Sequence, residues 1–291
     1  MGNDWDKSIG IYKCLGGVRF VDCATADDIY KALKSGENAL VLTGSTYVFS
    51  TPVNTCKMFY LSADHETPIN FKTTKYLPAL FIVTGGAGAD FNRLNLDANG
   101  CNVGSFISAD TSGSCNHSNI TFDNCNIENL VASNFLLAPK CSISDKVKID
   151  SCHFKNNICN LFSLDKETDN VGYYNVEQME VTNCSFNNHK GSILNLYRGG
   201  KDESTMGPNL LFSNNKLETC TNDKELISLF GVQVSTITNN KFINCNNNSS
   251  KYLVSYKDNV RAAHLLKNNT FQNNSGTIKP DKYVVDKDLP Q

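Results

Sequence analysis

Apolar and polar residues alternate through the second half of this chain in a unit that recurs six times, apolar-x-Asn-(Cys/Asn)-x-apolar-x-Asn. The copies run Phe122–Asn129, Ile149–Asn156, Val181–Asn188, Phe212–Thr219, Ile237–Asn244 and Leu266–Asn273, spaced by 25 to 32 residues. Aligned on the fourth position (Cys125, Cys152, Cys184, Asn215, Asn240, Asn269), the copies become columns. Two columns are apolar throughout: one from Phe122 to Leu266, the other Ile127, Phe154, Phe186, Leu217, Phe242 and Phe271. Inward positions of a strand, where side chains alternate between faces, have this pattern. Two polar columns flank them, Asn124 to Asn268 and Asn129 to Asn273. Asn tolerates the left-handed conformation and bonds nearby backbone, so each column marks a tight turn. Stacked on itself, its amide can also bond the Asn above and below.

A third apolar stretch follows each of the first five copies: Phe135–Leu137, Leu161–Leu164, Ile193–Leu196, Ile227–Leu229 and Tyr252–Val254. Three short strands per repeat of this length predict an all-β fold, a single-stranded parallel β-helix. It should be right-handed, as parallel crossovers are. A leucine-rich repeat has a similar period, but its LxxLxLxxN pattern and helical periodicity are missing. Open solenoid ends need caps. Thr25-Ala-Asp-Asp28 is a capping box, Ile29, Ala32 and Leu33 form a stripe, and Gly36 gives the stop, so a short helix is expected near 26–35. The strands Ala39–Leu42, Tyr47–Phe49, Leu80–Thr84 and Phe91–Leu96 should form early, less regular coils. The domain plan is thus an extension over 1–24, a β-helix over 25–275, and a tail over 276–291 lying on the last coil.

Composition narrows function. The 27 basic and 29 acidic residues give a net charge of −2, which offers no electrostatic footing for nucleic acid. No run of about 18 apolar residues is present, so no spanning helix is expected. No signal peptide is visible, and Met1-Gly2 before a polar stretch reads as a start placed after a removed leader. The twelve cysteines suggest bridges, yet Cys and Asn alternate in two columns, the anchor and the position five beyond it. Such positions predict compact buried thiols, not obligate disulfides. No CxxC occurs and no metal site is expected.

Connections leaving the third strands vary most in length, and insertions in solenoids gather on one face, often the binding face. The long ones are 165–178, 197–208 and 255–263. They bring Tyr173, Tyr174, Tyr197 and Tyr256 as stacking surfaces, with Arg198, Lys201, Asp202, Glu203 and Arg261 as charged partners. Aromatic faces beside such groups suit sugars, and Arg can hold a carboxylate by paired hydrogen bonds. The expectation is a monomer that binds an acidic polysaccharide and needs no cofactor.

The segment Tyr197–Pro208, YRGGKDESTMGP, resembles a string in β-helix proteins related to the chondroitinase B and alginate lyase family and in secreted Bacteroidetes β-helix proteins. The helix leading into ALVLTGSTYVF likewise resembles the opening coil of pectate-lyase-like β-helices. The resemblance implies a secreted or surface-anchored bacterial protein in a polysaccharide-utilising setting. It also implies a lyase alternative, β-elimination on uronic-acid polymers, with Lys201 as base, Arg198 as uronate clamp, and Asp202 and Glu203 available to Ca2+. The family's arginine lies in an Arg-His-Gly string, and this chain has no Arg-His pair. Binding without cleavage is therefore the leading expectation, ahead of the lyase and of a purely structural or adhesive solenoid.

Overall fold

The structure, a computed structural model, describes residues 20–55, 57–63, 67–84, 88–110, 116–167, 172–200, 207–248, 252–257, 261–279 and 283. It is a parallel β-helix. Three sheets run its length: ten strands from Val21–Cys23 to Ala263–Lys267, nine from Thr46–Phe49 to Thr270–Gln272, and nine from Val53–Thr55 to Thr277–Ile278. Each strand pairs in parallel with its counterpart one coil away, so the sequence columns become physical stacks. Phe122 registers with Ile149, Val181, Phe212, Ile237 and Leu266 in turn, and Ile127 with Phe154, Phe186, Leu217, Phe242 and Phe271.

The apolar columns fill the interior. Ring stacks run up it, with Phe91 on Phe122 at 4.4 Å, Phe106 on Phe135 at 5.2 Å and Phe154 on Phe186 at 5.4 Å. Burying each such ring stabilises by about 1.5–3 kcal/mol. The polar columns are the corners. All twelve of their residues adopt positive φ between 48° and 60°, including Ser151 and Thr219, which stand where the other ten are Asn. Arg93 shares this conformation one coil earlier, so a seventh, degenerate copy precedes the six.

The interchange of Cys and Asn has a hydrogen-bond explanation. Asn215 accepts from the Cys184 amide and donates to the Val181 carbonyl, both at 2.9 Å, and Asn240 serves Asn215 and Phe212 identically. Where cysteine stands, its thiol points at the same carbonyl: Cys125 at Phe91 (3.4 Å) and Cys184 at Ile149 (3.6 Å). Five positions beyond the anchor, Asn157 and Asn274 use their amides this way, and Cys220 and Cys245 their thiols. A buried S–H is a weak donor of similar reach. All nine described cysteines are unbridged, and burial pushes the Cys101 and Cys159 thiols up to about 12.

The capping helix is Ala26–Lys34, with both arms of its box formed between Thr25 and Asp28. Ile29 and Ala32 face the first coil, and Tyr30 meets Phe49 edge-on at 6.5 Å. Val21–Cys23, which the sequence places in the extension, forms the first strand of the first sheet. At the other end Thr277–Ile278 joins the third sheet, and the Tyr283 carbonyl accepts from the His264 amide.

Candidate functional site

The loops after the third-sheet strands Ile158–Leu164 and Leu194–Tyr197 meet at one corner. Tyr174 bridges Arg198 in antiparallel fashion, and a side chain on Gly207 would touch the Tyr174 ring. Asn175, fully buried, ties the corner together. Its amide donates to the Pro139 and Ser142 carbonyls and accepts from Lys166 and Glu167. Burial raises the Tyr174 phenol above its usual range, with Glu177 adding to the effect and Arg198 opposing it.

The expected binding residues divide sharply here. Tyr173 is 61% exposed and Arg261 is also exposed. Lys201, Asp202 and Glu203 lie outside the described residues. Arg198 is wholly buried, so it does not present a guanidinium clamp to solvent. The cause is alternation: Tyr197 faces outward, and the next residue turns into the corner. Tyr256 is 1% exposed and is no stacking surface either. Its strand extends to Lys257, which puts Tyr256 in the inward column after Leu164, Leu196 and Leu229. Tyr197 stacks on Phe230 at 4.6 Å, and Lys257 covers the other side of Phe230 at 5.0 Å. That ladder covers both faces of Phe230 and one face of Tyr197, which stays half-buried. Nearby, Ser235 Oγ lies 2.8 Å from His264 Nδ1 and 3.3 Å from the Tyr256 hydroxyl, but all three residues are sealed from solvent.

The opposite edge of the same sheet holds what the loop argument missed. Where chain passes from the second sheet into the third, a groove of about 260 Å³ runs along the solenoid. Its lining comes from five successive coils: Ala132 and Ser133; Ile158, Cys159 and Asn160; Lys190 and Gly191; Thr221, Asn222 and Asp223; then Asn248. At the strand spacing of about 4.8 Å, five coils cover on the order of 20 Å. Gly191 keeps the middle open. Its φ is +128°, and a Cβ there would lie 2.1 Å from the Cys159 carbonyl oxygen. Polar rims are held in place: Asn160 accepts from the Ser192 hydroxyl (2.9 Å), Asn222 donates to the Glu225 carbonyl (2.7 Å), and Asn248 donates to Asp223 (3.0 Å). Ile158, 48% exposed, lines one end, and Val131, 62% exposed, registers with it on the neighbouring strand just outside the lining, so the two make an aliphatic patch there. The signal in sequence was the residue pair starting two positions after each of the first four copies, Val131-Ala132, Ile158-Cys159, Lys190-Gly191 and Thr221-Asn222, which escapes the repeat's columns.

No family profile matches the sequence, and no curated protein matches it. Among solved structures, a PL6-family alginate lyase, AlyGC, superimposes with a TM-score of 0.67 at 22% identity, and a substituted form of it with 0.70 at 21%. The fold is that lyase's β-helix. The match covers 89% of this chain and 38% of the lyase, so the chain spans well under half of its neighbour. None of the helices formed by the described residues is long and apolar enough to cross a membrane.

Proposed function

We propose that the chain binds an extended polysaccharide along this groove, outside the cytoplasm, and does not cleave it. The observation that carries the reading is the groove's course across five coils, each contributing side chains at the same corner. A polymer with a short repeat can meet such a series unit by unit, whereas a small metabolite would fill only one part of it. Amide and hydroxyl groups at Ser133, Asn160, Thr221, Asn222 and Asn248 share the lining with apolar surface at Ala132 and Ile158, the combination that suits sugar rings. At the opposite corner, beside Tyr174, the burial of Arg198 removes the solvent-facing clamp of the lyase alternative suggested by the sequence, which supports binding over cleavage there. The likeness to an alginate lyase fits a polysaccharide ligand but concerns the fold alone.

The test is incubation with a panel of neutral and acidic polysaccharides, with and without calcium, following ultraviolet absorbance and gel retardation together. Retardation by at least one glycan without a rise in absorbance is expected. A rise in absorbance would replace binding with lyase activity, and no retardation by any glycan would sink the reading.

A further inference from the structure

The groove's charge decides the class of polymer, if the chain binds polysaccharide there as argued above. We propose that it takes an uncharged polysaccharide, plain or N-acetylated, and rejects a polyuronate. This departs from the acidic ligand that the tyrosine and arginine loops suggest in sequence.

Among the described lining residues, Lys190 and Asp223 are the charged ones, and they cancel. Asp223 is additionally fixed at the rim by Asn248 at 3.0 Å. An extended pyranose chain advances by about one strand spacing per sugar. A polyuronate would therefore set a carboxylate toward the groove at every coil or every second coil, against a single lining cation, Lys190. Carboxylates brought from water to a surface without partners lose solvation and regain little. One of them would also face Asp223. Uncharged sugars meet no such penalty. Their hydroxyls find amide and hydroxyl partners at Ser133, Asn160, Thr221 and Asn222. Their aliphatic ring faces, or acetamido methyls, cover Val131 and Ile158, surface that is otherwise exposed to water.

Calorimetry of the full chain with three hexasaccharides tests this: a neutral β-1,4-linked glucan, its N-acetylated counterpart, and a uronate oligomer, each at low and high salt. One or both neutral probes should bind, with affinity indifferent to salt, and the better of the two identifies which uncharged class is preferred. Thr221→Trp, on the outer rim, should block the groove and weaken binding roughly tenfold or more, with an unchanged melting temperature. Uronate binding that salt weakens and Lys190→Ala removes would overturn the proposal while leaving the polysaccharide reading intact. Neutral binding that ignores Thr221→Trp would also overturn it, by placing the ligand elsewhere. Failure of all three probes would overturn both.

Discussion

A buried histidine shows how narrow the chemistry of a β-helix corner is. His189 occupies the column in which Asn157 and Asn274 bond the backbone of the preceding coil, but its ring nitrogens make no well-aligned hydrogen bond, with only the Ser192 and Cys159 backbone near them. Burial lowers its pKa to about 4. The unfolded chain takes up the proton below about 6.5 while the folded chain stays neutral to about 4, so stability is full above pH 6.5 and falls as pH drops toward 4. The loss should reach about 3 kcal/mol. His189→Asn should raise stability at pH 7 and flatten this acid limb in urea titrations at several pH values. An unchanged limb would show that His189 is not its source. The same logic separates two substitutions at Asn240, whose amide serves the Asn215 N–H and the Phe212 carbonyl. Asn240→Leu strands both groups, at about 1–3 kcal/mol each. Asn240→Cys keeps a weak donor for the carbonyl, as at Cys184, and should cost less. Equal losses in denaturant melts would remove the thiol-for-amide explanation.

At the scale of elements, the Asn columns were legible because they answer a backbone demand: twelve corner residues need positive φ, and Asn meets that at small cost. The capping helix was legible for a similar local reason. Thr25→Ala deletes one arm of its box and should cost about 1 kcal/mol. Loss of protection confined to residues 26–34 in amide exchange, with the later coils untouched, is the expected signature. Third-sheet strands were harder to read. The last of those expected from sequence runs three residues past Val254, to Lys257, and that turns Tyr256 from surface to core. One position decides the face of a side chain in a strand. Arg198 went astray for the same reason.

The molecule as a whole is a stack in which each coil supports its neighbours, so stability should grade along the axis. The helix seals one end. At the other, Phe271 is only half-buried where Phe242 beneath it is fully covered. Hydrogen exchange should therefore be slowest through the coils from Phe122 to Phe242 and accelerate over 263–278. Uniform protection along the chain would contradict a graded solenoid. The groove belongs to this scale as well, since no single repeat contains it.

What the sequence determined by itself is the periodic part: the β-helix, its interior columns, its turns and its helical cap. Each follows from a demand that recurs in every coil, apolar burial or positive φ, and repetition makes the demand visible. The tertiary structure alone decided which irregular residues meet water. Tyr256 and Arg198 went inward through the phase of a strand, and Gly191 opened a groove because the Cys159 carbonyl of the coil below leaves no room for a side chain. Those outcomes depend on contacts between residues about one coil apart, and local pattern does not encode them.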